Sequence, residues 1–507
     1  MSRHKYVLKN TLFLYVRMFV ILLVSLYTTR EVLYVLGVTD FGIYNVVGGF
    51  VAMLSFLTST MSNASTRFFS FELGNDNLYS QRKTFQVTFS IYLLVIGLVI
   101  LLGETIGLWF IQHKLNVPPD KYKTSLFIYQ ISLLTLIFNI IRIPYNAAII
   151  AHEKMKFYAY VSIIEAGLKL GIVYCLILIA WNKLELYAIL FSITTLLITI
   201  LYILYATHNF NECVTKFDFD RNRFKTILSF SGWNLTSNLG DVMMDQGLNV
   251  LLNLFFGPAV NAARGIAYNI KGVVVSFVGN FQTASSPQIT KHYAANEIDQ
   301  MRILVIQTSK ISFFLMFILI TPLYFCLDLL LKIWLKVIPD YTSLFTTIIL
   351  IEMLVLAMGG TLNLAIQASG KIRKFVISLS IIKFICFLIA IIGFKYYECP
   401  PEFALWICVL NSCICMVIKF VFSATVLNNT LESLIKLILT RELLALLFSG
   451  MIIYCLRITI YNPQSLVNII VMSVVSLLIS VASFFLIGLS RPEQNKILKL
   501  IKTGILK

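Results

Sequence analysis

The chain has 507 residues, 58% of them hydrophobic and only 13% charged, with a mean hydropathy of +0.85; soluble domains carry roughly 25% charge, so the composition excludes a soluble globular protein. A formal net charge of +17 could suggest nucleic acid, but Lys and Arg are scattered through short connections instead of lining one face. The nine cysteines and five histidines show no metal-ligand spacing, and no phosphate-binding Walker loop is present.

Apolar runs bounded by polar turns predict six helices near 10–36, 41–63, 84–111, 122–150, 156–181 and 185–208. The first run is far longer than the core of a signal peptide and has no small-residue cleavage pattern after it, so it is expected to remain as the first helix. Its face carries Asn10, Arg17, Thr28 and Glu31. On the fifth helix, Glu165 and Lys169 are spaced for a local i,i+4 ion pair.

Residues 209–227 then read as a cytoplasmic linker between an N-lobe over 1–208 and a C-lobe over 228–430. Asp218-Phe219-Asp220 matches the acidic signature by which many glycosyltransferases hold a metal–nucleotide sugar, but it lies in a short loop with no nucleotide-binding domain around it. Eight more helices come after it, near 228–256, 260–288, 303–331, 341–369, 374–396, 402–426, 438–459 and 465–489. The fold class expected is therefore an all-α membrane protein of about fourteen transmembrane helices. Two six-helix lobes are followed, over 431–507, by two C-terminal helices and a tail.

Ionisable and strongly polar side chains are costly within spans and face a protein interior or a water-filled cavity. In the seventh helix Asn234, Asn238, Asp241, Asp245, Asn249 and Asn253 recur at spacings of three and four, which stacks them on one face. The eighth helix continues with Asn261, Arg264, Tyr268 and Lys271, and the tenth carries Glu352, Asn363 and Gln367. Each Asn can line a polar cavity or pin helix packing through interhelical hydrogen bonds. Arg264 and Lys271 have no acid at helical spacing on their own helix, which favours a binding role, although Asp241 or Asp245 could satisfy them from the neighbouring helix.

Cytoplasmic loops retain Lys and Arg. Placing the N-terminus inside puts Arg3, Lys5, Arg82, Lys83, Lys154, Lys156, Arg221, Arg223, Lys371, Arg373 and Lys374 on the cytoplasmic side, so both termini are expected there. An internal repeat supports two lobes. Gly37 to Asn75 parallels Gly257 to Asn296 at a register of about 220 residues, each copy leading from a glycine turn into a Gly-Ile-(x)-Tyr-Asn element. Both copies would run inward, as parallel repeats about an axis along the membrane normal.

Two stretches, LGVTDFGIYNVVGGFVAMLSFLTSTMSNASTRFFSFELG from Leu36 and SGWNLTSNLGD through FFGPAVNAARGIAYNIKGVVVSFVGNFQTASSPQITKHY over 231–293, with the weaker LNLAIQASGKIRK from Leu362, resemble the multidrug/oligosaccharidyl-lipid/polysaccharide exporter superfamily. Within it the chain is similar to the polysaccharide (Wzx-type, O-antigen) flippases, often described as lipopolysaccharide biosynthesis proteins. The resemblance implies a V-shaped, MATE-like bundle around a central cavity, in a bacterial inner membrane. It also implies a flippase, not an enzyme, that carries undecaprenyl-pyrophosphate-linked oligosaccharide for O-antigen, capsule or exopolysaccharide.

On that reading Arg17, Arg264 and Lys271 would hold the pyrophosphate through charge-assisted hydrogen bonds, and Tyr268, Asn234, Asn238 and Asn261 would meet sugars. Asp241 and Asp245 would take Na⁺ or a proton as coupling ion; no other cofactor is expected, and partners are the lipid-linked oligosaccharide, membrane lipids and other polysaccharide-assembly proteins. The rivals are a cation-coupled drug exporter of the same fold, for which the two aspartates speak, a flippase for the peptidoglycan lipid precursor, and a membrane polymerase or ligase, for which no outside loop is long enough. The topology predicts that cysteines placed at 218 and 373 label from the cytoplasm and those at 120 and 398 from the periplasm; reversed accessibility at both members of either pair rejects it.

Overall fold

A computed structural model describes the chain from Arg3 to Asn495, except for residues 56–60, 63–64, 67, 70–71, 74–76, 153, 215–219, 371, 461–465 and 492. For residues 3–20, 155, 158–159, 226, 228–237, 280, 283–284, 287, 294, 457, 459–460 and 466–467 the backbone alone is described. Within these bounds the fold is all helix. Hydrocarbon offers no partner to a backbone N–H or C=O, so a spanning segment must satisfy its own hydrogen bonds.

The helices in chain order are α1 (Arg3–Met53), α2 (Leu78–His113), α3 (Tyr122–Ala151), α4 (Met155–Leu178), α5 (Lys183–Asn209), α6 (221–256), α7 (Pro258–Ala294), α8 (Ile298–Trp334), α9 (Thr342–Ala368), α10 (Arg373–Tyr396), α11 (Phe403–Val426), α12 (431–460) and α13 (466–488). Among the described residues eleven helices are long and apolar enough to cross a membrane. The polar pair α6 and α7 falls outside that set because it carries the Asn, Asp, Arg and Lys stripes. With α1 counted as the two rods on either side of its kink, the described residues form fourteen long segments, roughly compatible with the sequence expectation.

The kink corrects one boundary. A polar connection was expected between 36 and 41, yet the helix breaks at Gly37 alone, with φ 76° and ψ 170°. Gly257, its partner in the 220-residue repeat, breaks the chain between α6 and α7 with φ 82° and ψ −179°. That region of backbone space is essentially closed to residues with a Cβ. Glycine thus makes a corner in a single residue, and Pro258 starts α7 with its φ already set for a helix. The glycines that open the two copies therefore share a backbone conformation as well as a place in the sequence pattern.

The glycines of the Gly-Ile-(x)-Tyr-Asn elements also do matching work. A Cβ on Gly42 would lie 1.8 Å from the Pro258 carbonyl oxygen, and one on Gly265 would lie 3.0 Å from the Asn45 amide carbon. Small residues at such contacts let helix backbones approach closely.

The chain divides into two compact units that interleave in sequence. The first comprises Met1–Ile266, Trp334–Asp340 and Lys383–Ala404, and the second Ala267–Ile333, Tyr341–Ile382 and Leu405–Lys507. Part of the first unit's core is an aromatic cluster of Phe69, Phe85, Tyr145, Tyr202 and Phe210 from α2, α3, α5 and adjoining segments. In the second unit Met301, Val305, Leu362, Phe420 and Ile438 join α8, α9, α11 and α12.

α6 begins at Arg221, inside the stretch expected to be a linker, and Asp220 of the acidic signature is its cap. Its carboxylate accepts from the N–H groups of Asn222 and Arg223 at 3.0 and 3.1 Å, and the Arg223 N–H holds that carboxyl below its ordinary range. Asp218 and Phe219 lie outside the described residues.

Gly257→Ala should cost about 1–3 kcal/mol of backbone strain, and Gly42→Val a similar amount, roughly 1–3 kcal/mol, from overpacking. Gly97, which has open space at its Cβ position, is the control. Thermal unfolding in detergent should fall for the first two and hold for Gly97→Ala.

Candidate functional site

The polar stripe of α6 divides into two parts around a π turn over Met243–Gly247. C-terminal to the turn the stripe is dry. Asn253 is fully buried and pairs with both backbone groups of Asn116, accepting from its N–H at 2.9 Å and donating to its carbonyl at 3.2 Å. Asn261, also fully buried, donates to the carbonyl and the side-chain oxygen of Asn249 at 2.6 and 2.9 Å. Asn249 in turn donates to the Asn45 carbonyl at 3.1 Å. These amides pin α6 to α7, to α1 and to the loop after α2, which is the packing use of Asn in membrane bundles.

N-terminal to that region and within the turn, the stripe carries ion pairs. The buried guanidinium of Arg264 donates to Asp245 Oδ1 at 3.0 Å and to the Asp245 carbonyl at 2.7 Å. The buried ammonium of Lys383, on α10, meets Asp241 at 2.5 Å. The bases are 4% and 9% exposed, whereas the carboxylates of Asp245 and Asp241 are 46% and 61% exposed. An exposed carboxylate is too costly against hydrocarbon, so both acids border a wet space and each shields a base behind it.

In the second unit Lys271 does not stand open either: its ammonium meets Glu352 at 2.6 Å and lies 4.9 Å from the Tyr268 ring centre. Ser412 donates to the other oxygen of that carboxylate at 3.2 Å. Asn238 is partly exposed on the α6 stripe. The side chains of Arg17 and Asn234 lie outside the described residues. On α1, Glu31 is taken up by Lys336 at 2.8 Å.

A base without a counter-charge lines a different space. α1, α3, α4 and α5 enclose a polar cavity of about 310 Å³ lined by Thr28, Arg142, Asn146, Glu165, Lys169 and Tyr202, among others. Glu165 and Lys169 form the i,i+4 pair that their spacing predicts, at 2.8 Å. Among the described residues Arg142 makes no ion pair, and its guanidinium lies 5.6 Å from the Tyr202 ring centre. Nearby, the buried side-chain oxygen of Asn146 has no hydrogen-bond partner among the described residues. The lining thus carries two bases against one acid; the Asn146 oxygen is a free acceptor suited to a hydroxyl, and the guanidinium of Arg142 is suited chemically to an anion with several acceptor oxygens.

Arg142 and Lys383 were missed by the sequence reading. For Arg142 a signal exists, since Asn139, Arg142 and Asn146 recur at three and four along an apolar run. Lys383 is a lone cation inside an apolar helix, visible but without anything local to name its partner.

No family model and no curated protein sequence matches the chain. Its fold is shared with solved structures. An inward-facing multidrug-resistance MATE-family transporter of the MOP superfamily superposes with a TM-score of 0.66 at 13% identity, covering 81% of this chain and 96% of the other. Lipid II flippase MurJ in an inward closed conformation gives 0.65 at 14% identity, covering 94% and 99%. A MOP-superfamily transporter from Pyrococcus furiosus, whose binding pocket is described as having reverse polarity, gives 0.57 at 12% identity over 84% and 96%.

Asp245→Asn should destabilise the protein by removing the carboxylate that faces buried Arg264, an effect of about 1–3 kcal/mol once the half-exposed carboxylate is allowed for. Arg264→Met in the same chain should restore most of that loss. Thermal unfolding of the single and double variants measures it, and strictly additive losses would show that the pair is not coupled.

Proposed function

We propose that this chain is an alternating-access flippase of a bacterial inner membrane, with both termini cytoplasmic. Its substrate is an oligosaccharide on undecaprenyl pyrophosphate, carried to the periplasmic face for O-antigen, capsule or exopolysaccharide assembly. The observation that carries the reading is Arg142, an intramembrane base with no acidic partner among the described residues, in a cavity shared with Lys169 and Asn146. A base in that position attracts a diphosphate and repels a cationic drug. Thr28 and Asn146 add hydrogen-bonding groups suited to a sugar next to the phosphates. The fold is shared with a lipid II flippase and equally with a multidrug transporter, so the choice of cargo rests on the cavity.

A cation-coupled exporter is the second reading, favoured by the half-exposed carboxylates of Asp241 and Asp245. These residues are also where Na⁺ or a proton would couple to flipping, competing with Arg264 and Lys383 for the carboxylates. Transport in vesicles with and without an ion gradient, compared between the native chain and folded Asp241→Asn/Asp245→Asn protein, tests that role; unchanged gradient dependence removes it.

Losing one charge-assisted hydrogen bond costs roughly 1.5–3 kcal/mol, so Arg142→Ala should weaken substrate binding about tenfold to a hundredfold. Arg142→Lys should retain part of the function, since charge survives and the planar fork does not. Complementation of a flippase-deficient strain, with membrane protein level measured alongside, is the test. Native surface polysaccharide from Arg142→Ala at native protein level would overturn the assignment, and efflux of cationic dyes in its place would support the exporter.

A further inference from the structure

Three helix ends meet in the second unit, apart from the proposed transport site. They are the start of α8, the start of α12 and the end of α13. Together they line a pocket of about 510 Å³ that includes Arg302, Lys310, Lys436, Arg441, Ser490 and Glu493. Four bases face one carboxylate there. Such a concentration needs a reason, because like charges gathered in a partly enclosed space repel one another.

The local structure brings them together. α12 contains a π turn over Lys436–Thr440, with Arg441 directly after it. A π turn closes i→i+5 hydrogen bonds, so residues five apart come to lie one above the other. In a regular α-helix Lys436 and Arg441 would diverge. Neither forms an ion pair among the described residues. Lys310, 6% exposed, is held by Glu493 at 3.3 Å, and Glu493 is fixed in turn by the N–H and hydroxyl of Ser490 at 2.7 and 2.6 Å. Arg302 pairs with Asp299 at 2.7 Å, but that carboxylate is 83% exposed and strongly screened. Glu442, next to Arg441 and fully buried, does not line the pocket but is close enough to interact with Lys310 and Glu493, so Lys436 and Arg441 are the bases left for a ligand.

The position of the pocket points to its occupant. Ile303 and Leu437, both exposed, stand beside the bases. The apolar span of α13 ends at Gly488, two residues before Ser490. Cations above exposed apolar side chains at the ends of spans lie at the depth of lipid headgroups, and basic pockets of this kind between helices take phosphate headgroups. We propose that the second unit holds the phosphate headgroup of an anionic phospholipid between Lys436, Arg441, Arg302 and Lys310, with its acyl chains against Ile303 and Leu437. The lipid would be a bound partner of the protein and not its transported cargo.

The test is native mass spectrometry of the full chain in detergent, titrated with phosphatidylglycerol, phosphatidylcholine or inorganic phosphate. Phosphatidylglycerol should be retained at least tenfold more strongly than phosphatidylcholine. Lys436→Gln/Arg441→Gln should abolish the preference, and the charge-keeping Lys436→Arg/Arg441→Lys should preserve it. If the glutamine double variant does not fold, Lys436→Gln alone should reduce the preference by at least threefold. Equal retention of the two lipids, an undiminished preference in a folded glutamine variant, or displacement of phosphatidylglycerol by millimolar inorganic phosphate would overturn the proposal.

Discussion

A base buried in a spanning helix must be met by an acid or by water, because hydrocarbon supplies neither charge nor hydrogen bonds. Arg264 draws Asp245, Lys383 draws Asp241, and Lys271 draws Glu352. Each pair joins residues from two helices, so each also fixes where two rods pass one another. In the first two pairs the base is the buried member and the acid is the wet one. The amides of Asn249, Asn253 and Asn261 extend this fixing to backbone groups. Polarity in α6 and α7 is thus first a packing device.

Against that background Arg142 is distinct. It stays in its cavity by stacking on Tyr202 and by access to polar surroundings, with no acid among the described residues to neutralise it. A charge maintained without a partner is available to a ligand, whereas one inside a pair has to be released first. The two features differ in kind and place: an uncompensated base in a cavity among α1, α3, α4 and α5, and a set of accessible acids on α6.

Much of the fold was legible because lipid leaves a chain few options. Apolar runs of sufficient length can only be helices, and the polar stripe of α6 reads from spacing alone. So does the Glu165–Lys169 pair, which is local. Partners distant in sequence were not legible: nothing near Lys383 names Asp241, and nothing near Glu352 singles out Lys271. By spacing the stripe is one continuous face, but the π turn at Met243–Gly247 adds a residue to the turn and rotates the rest of α6 relative to its start. Wet carboxylates and dry amides therefore coexist on a face that a single helical wheel merges. Arg142 was readable in principle, since it sits between Asn139 and Asn146 at helical spacing, but one base in the interior of an apolar helix attracts less notice than a helix with six polar residues.

The corners at Gly37 and Gly257 have a mechanical meaning. A loop of several residues spreads a change of angle over many torsions, each moving a little. A one-residue corner between rigid rods has only two torsions through which their angle can change, and at both corners these lie in a basin that glycine alone enters freely. Any reorientation of the rods at either corner must therefore be a rotation about a single α-carbon, repeated at equivalent places in the two sequence copies. Were the rods to change their angle, the long lever arms would turn a small twist at either glycine into a large displacement of the far end.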